Sequence, residues 1–155
     1  MSTSMGADIS AVTTTALFRL GSSFQDYDGK IYKYMQYDEA TAATAGVAGE
    51  VAYYVAGTGY GANACTSDLS DADTTPVGAG VLQANMNDSE YGWFQIKGPA
   101  TLSIALTAGA DGNALTPTGA GDGTLDVVVT TVALCHICAY AGDASANEIM
   151  CDFLY

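Results

Sequence analysis

Cys135, His136 and Cys138 come nearest to chemistry, since two thiols and an imidazole within one short stretch are donors that zinc takes. A zinc knuckle needs its cysteines to converge through a turn with glycine nearby. Here they sit in an apolar β-branched run, where residues three apart point to opposite faces of a strand. His136 and Cys138 then share a face that Cys135 does not, and a full ligand set would need Cys65 or Cys151 brought in from elsewhere. A cysteine–histidine nucleophile meets the same obstacle, and His136 is the only histidine. With Cys65, Cys135, Cys138 and Cys151 the only thiols in 155 residues, the simpler reading is buried, reduced cysteines acting as small hydrophobes, which fits a reducing compartment.

The remaining candidates are weaker. Asp68, Asp71 and Asp73 suggest calcium, but the Asp-x-Asp/Asn-x-Asp/Asn-Gly register with a terminal glutamate is absent, so residues 62–76 read as solvated surface loop. No pair of carboxylates lies in an aromatic-lined motif where burial would raise a pKa, as a glycosidase requires. Gly57-Thr58-Gly59-Tyr60-Gly61 lacks the lysine of a phosphate loop. The expectation is a chain with no catalytic residue, no metal and no cofactor.

Charge narrows the partners. The chain has 17 Asp and Glu against Arg19, Lys30, Lys33 and Lys97, a formal net charge of −13. Such a surface repels phosphate, so nucleic acid and anionic membrane are both excluded as expected partners. No run approaches the roughly 18 apolar residues of a membrane helix. Residues 1–10 carry no basic residue followed by an apolar core, so synthesis in the cytosol is expected. Ten tyrosines, which combine apolar area with a hydrogen-bonding tip, suit core packing and protein contact alike.

The elements that would position these residues are strands. Tyr91-Gly92-Trp93-Phe94-Gln95-Ile96 reads as a central strand, with Tyr91, Trp93 and Gln95 on one face, Phe94 and Ile96 on the other, and Gly98-Pro99 as the closing turn. Asp28-Gly29 introduces a second, in which Tyr32 and Tyr34 share a face with Lys30 and Gln36, while Ile31, Lys33, Met35 and Tyr37 share the other. Short strands are also expected over 51–55 and 78–82, the latter forming a hairpin with the aromatic strand, and a half-buried strand over 101–107 with Leu102, Ile104 and Leu106 on one face. Residues 38–50 lack a helical stripe and read as loop. Asp111-Gly112 and Asp122-Gly123 are turns, residues 124–140 form a long β-branched run that must bend near Thr130 or Ala133, and 148–155 form the last strand. Residues 1–15 are small and polar. With the apolar patch 16–20 they make an extended N-terminal arm, ended by a flexible Gly21-Ser22-Ser23, so the chain divides into an arm, 1–20, and a single β-domain, 21–155. About eight short strands at turn-marked intervals give an all-β class, a compact barrel or sandwich.

Three segments carry a family likeness: Asp28-Gly29-Lys30-Ile31-Tyr32-Lys33-Tyr34-Met35-Gln36-Tyr37, Gly78 to Ala84, and Tyr91-Gly92-Trp93-Phe94-Gln95-Ile96-Lys97-Gly98-Pro99-Ala100, with 108–115 and the hairpin 136–154 continuing the order. In these the chain resembles the head decoration proteins of tailed bacteriophages, also called capsid cement or capsid fibre proteins. The resemblance implies a non-enzymatic all-β protein, made in the bacterial cytoplasm, that sits on the outside of the icosahedral head of the virion. Its implied partners are the major capsid protein and itself, as a small homo-oligomer taken to be a trimer. The acidic loop 62–76 and the cysteine cluster depart from the likeness. On this reading Ile9, Val12, Leu17, Phe18 and Arg19 of the arm contact the capsid, while Tyr32, Tyr34, Tyr91, Trp93 and Phe94 form the core or the oligomer contact. The alternative from another class is a virion-surface or cell-surface carbohydrate-binding adhesin that uses exposed tyrosine and tryptophan as stacking platforms.

Overall fold

The computed structural model describes residues 6–39, 44–55, 59–70, 77–129 and 136–154. The fold is all-β, as the alternating patterns predict. Its strands are β1 (Ser23–Gln25), β2 (Ile31–Tyr37), β3 (Val51–Tyr54), β4 (Ala64–Thr66), β5 (Gly78–Leu82), β6 (Tyr91–Thr101), β7 (Ala114–Thr116), β8 (Asp126–Val127), β9 (Ala139–Asp143) and β10 (Glu148–Asp152), with a helical turn, α1 (Gly59–Ala62), before β4 and a 3-10 turn (Ala144–Ala146) between β9 and β10. Five of them close on themselves in the order β2-β4-β3-β5-β6, with β6 pairing back onto β2. Closure removes the exposed edges that an open sheet would present. β6 then runs on past the barrel and pairs with β10, which carries β9, β7 and β8 as an extension.

The strand periodicity sorts the large side chains into three cores. Met35, Tyr37, Ala52, Tyr54, Cys65, Ala79, Leu82 and Phe94 come from all five barrel strands and, with Met86, fill the lumen. Val51, Tyr53, Val81 and Ile96 on the barrel side meet Leu115, Ala139, Ile149, Cys151 and Phe153, which seals the extension against the barrel. Tyr32, Tyr34 and Trp93 form the third, outside the barrel on β2 and β6.

Four local expectations are corrected. Gly98-Pro99 does not end the aromatic strand: Gly98 takes a left-handed conformation, φ 93°, and the strand continues to Thr101. Over its last residues β6 has only β10 beside it, an edge setting in which a proline's missing N–H is tolerated. Residues 102–107 form no strand, because their backbone bonds go to scattered partners: Leu102 N to Asn147 O, Ser103 N to Gly49 O and Thr107 N to Leu125 O. Residues 62–76 are not all surface loop, since β4 lies inside the barrel wall and Thr66, Ser67 and Asp68 are buried. Ser23, assigned to a flexible break, begins β1 and pairs with Lys33. Asp71, Asp73 and the bend near Thr130 or Ala133 lie outside the described residues.

Lys33 faces the lumen with 7% of its surface exposed. Its Nζ donates to Tyr54 Oη at 2.8 Å and lies 5.3 Å from the centre of that ring. Burial lowers its pKa. Replacing it with a well-packed apolar side chain removes a desolvated cation, so Lys33→Met is expected to match or exceed the parent stability by on the order of 1 kcal/mol in urea unfolding. A clear loss would mean that the ammonium and its phenol stabilise the barrel.

Burial also pushes up the thiols of Cys65, Cys138 and Cys151, the last to about 12, and the phenols of Tyr53 and Tyr54, the latter to about 12. These acids hold protons in the folded state that they release when unfolded. Their stabilisation is whole below the ordinary thiol value of 9.0 and is lost as pH climbs towards the folded values. Denaturation midpoints should fall steeply between about pH 9 and pH 11, and less steeply in the Cys65→Ala, Cys138→Ala, Cys151→Ala triple variant. Identical slopes in the two proteins would exclude the thiols as the cause.

Candidate functional site

The third core is the most distinctive surface of the barrel, and it is built by register. Tyr34 pairs directly with Trp93 across β2 and β6, Tyr32 with Gln95 and Gln36 with Tyr91, so one outer face collects the aromatic residues while Phe94 turns into the lumen. The Tyr34 and Trp93 rings lie 5.1 Å apart, and Tyr91 stacks on Tyr34 at 6.5 Å. β1 adds Phe24, 6.1 Å from Trp93, a member that the residue pattern did not predict. Gly92 leaves this strand without a side chain because Met86 reaches across it: a Cβ there would stand 2.2 Å from the Met86 methyl. A glycine between two aromatics was the available signal.

Left bare, this face would be a large apolar patch, and the N-terminal segment covers it. Thr13 exchanges two backbone hydrogen bonds with Tyr91, at 3.1 and 2.8 Å. Ala7, Ile9 and Leu20 pack on the aromatic cluster and Val12 on the lumen cluster. Leu17 N donates to Tyr34 Oη at 3.2 Å, and the Phe18 ring sits 5.2 Å from both Tyr34 and Trp93. The five arm residues therefore divide. Ile9 and Val12 are half-buried anchors, whereas Leu17 is 64% exposed, Phe18 43% exposed, and Arg19 also faces solvent. Of the aromatic residues, Tyr32, Tyr34, Trp93 and Phe94 are buried and Tyr91 is half-buried.

A second apolar feature lies on the extension. Ala114, Tyr140, Met150 and Pro99 stand opposite one another across β7, β9, β10 and β6 and form a row on the outer face, in which Tyr140 and Met150 are exposed. Asp152 and Lys97 form an ion pair one step along the same strands.

The cysteine–histidine stretch does not assemble. Cys138 is buried in the second core, His136 is half-buried, and Cys135 lies outside the described residues. The Nε2 atom of His136 is buried without a hydrogen-bond partner among the described residues, and no cluster of three His, Cys, Asp or Glu side chains among them is arranged to hold a metal. Among the described residues no helix is long and apolar enough to cross a membrane. Comparison with protein-family models, curated proteins and solved structures gives no match for this chain.

With Trp93 only 4% exposed, Trp93→Ala should cost about 3–5 kcal/mol in denaturant unfolding. Phe18→Ala, on the rim, should cost about 0.5–1.5 kcal/mol and leave the fold intact. As the only tryptophan, Trp93 should fluoresce as a buried indole with little quenching by acrylamide. Full quenching in the parent protein would place the ring at the surface.

Proposed function

We propose that this chain is a decoration protein of a bacteriophage head, binding the outer surface of the icosahedral shell and bracing contacts between major capsid protein subunits. The observation that supports this most directly is the exposed Leu17-Phe18 step, held firmly on the Tyr34 and Trp93 rings at the edge of an otherwise acidic chain. An anchored aromatic side chain that remains partly exposed loses little conformational freedom on docking, which favours binding. On this reading Leu17, Phe18 and Arg19 contact the shell, and Ile9 and Val12 hold them in place. The Ala114, Tyr140, Met150 and Pro99 row supports self-association, proposed as a trimer. The protein then acts through shape and buried area, without chemical turnover, at the outer capsid surface of a virion assembled in the bacterial cytoplasm.

The carbohydrate-adhesin alternative loses its best platform, because Trp93 and Tyr34 are buried. Deleting the whole arm would test the proposal poorly, since it would also strip the Thr13 bridge from β6. The Leu17→Ser, Phe18→Ser double variant is the cleaner probe. It should stay folded and keep the oligomeric state that light scattering finds for the parent. Its cosedimentation with shells of the candidate major capsid protein should weaken about tenfold or more. Undiminished occupancy would reject the Leu17-Phe18 contact, and absence of the protein from mature particles would reject the function.

A further inference from the structure

Where β6 kinks at Gly98 and leaves the barrel, two adjoining openings of about 360 and 230 Å3 share Lys30, Ala100 and Thr101. The larger falls within the roughly 300–1,000 Å3 of small-ligand pockets and is lined also by Gln83 and Gln95; the smaller has Glu148 at its wall. The kink organises this cleft. Gly98 has no side chain, and the Lys30 stem lies across it: a Cβ at Gly98 would stand 3.1 Å from Lys30 Cγ. The ammonium is thus carried on a stem packed against backbone.

Gln95 is 3% exposed, and its amide nitrogen donates to Lys97 O at 3.1 Å and Pro99 O at 2.8 Å. Two carbonyl oxygens facing one end of the amide fix that end as the nitrogen. Both hydrogens are engaged, so the carbonyl oxygen is the end left for a ligand. Gln83 likewise donates its amide nitrogen to Val81 O at 2.9 Å. The cleft therefore offers two amide acceptors, the remaining Gln83 N–H, the Thr101 hydroxyl and a cation, with the Glu148 carboxylate at the wall of the smaller opening. In a chain of net charge −13, Lys30 forms no ion pair among the described residues, although Glu148 lines the adjoining opening.

This donor and acceptor set selects a ligand class. A bare carboxylate would satisfy the lysine and leave the amide acceptors unmatched. A neutral sugar would satisfy the acceptors and leave the cation unmatched. We propose that the cleft binds a carboxylate-bearing sugar of the uronic acid type, with Lys30 on the carboxylate and Gln83, Gln95 and Thr101 on the ring hydroxyls. Among the described residues no aromatic side chain lines the cleft for stacking, so a single sugar binds in the millimolar range. The site is separate from the Leu17-Phe18 step and stands whether or not the protein decorates a shell.

The test is an NMR titration of the full chain with methyl β-glucuronide, methyl β-glucoside, which differs from it at the carboxylate, and acetate. The glucuronide is expected to shift the Gln83 and Gln95 side-chain amides saturably, and the glucoside and acetate to bind about tenfold more weakly or not at all. Lys30→Met keeps the stem over Gly98, so the fold should persist, as the amide spectrum will report, while preference for the glucuronide disappears. Equal affinity for acetate would make this a simple anion site, and equal affinity for the glucoside would remove the role of Lys30. Either result, or saturable shifts confined to residues away from the cleft, or no saturable shift at all, overturns the proposal.

Discussion

The antiparallel ladder between β2 and β6 is the interaction on which the rest of the molecule depends. It runs from Ile31 opposite Lys97 to Gln36 opposite Tyr91, and without it the five barrel strands would remain an open sheet with two exposed edges. The same ladder decides which side chains are inside. Strand side chains alternate, so the register that puts Tyr34 beside Trp93 outside also puts Met35, Tyr37 and Phe94 in the lumen, and a slip of one residue would exchange the sets. The outer aromatic face then needs cover, which is why the N-terminal segment docks on it.

A second consequence follows from the unequal lengths of the two strands. β6 has 11 residues and β2 has 7, so the surplus of β6 projects beyond the barrel and becomes the template for β10. A strand that changes partners part-way along must bend, and the bend is taken at Gly98, where a left-handed conformation is open to glycine at low energy. The backbone carbonyls displaced by the bend are satisfied by the buried Gln95 amide. One kink thus joins the barrel to the extension and opens a polar cleft beside the join.

This hierarchy also explains what could be read from the residues alone. β2, β5 and β6 were legible because large side chains or tight glycine-rich runs alternate between two faces that both need burial, and the Asp-Gly turns mark their neighbours. β4 was not, since Ala64-Cys65-Thr66 is short, small and set among aspartates, and its parallel pairing with β2 is a long-range event that no local pattern announces. Residues 102–107 misled in the opposite direction. Their alternation reflects the burial of Leu102 and partial burial of Leu106, and burial without a common partner strand makes no ladder. The aromatic face was visible as residue types, but the membership of Phe24 depends on the β1–β2 pairing. The cleft at Lys30 was invisible, because a backbone kink and the orientation of one buried amide create it.

The four basic residues meet different fates, and their allocation shapes how the acidic chain presents itself. Lys33 is withdrawn into the lumen, where a tyrosine hydroxyl and ring replace water. Lys97 is matched by Asp152. Arg19 stands at the exposed end of the arm's apolar step, and Lys30 at the cleft. With a Debye length of about 8 Å at physiological salt, distant acids are screened and a partner senses mainly the charges beside its point of contact. Net repulsion therefore does not forbid association at sites that carry a local cation. Arg19 and Lys30 mark two such places, so approach of an acidic partner or ligand is least opposed where the molecule also offers apolar area or hydrogen-bonding groups.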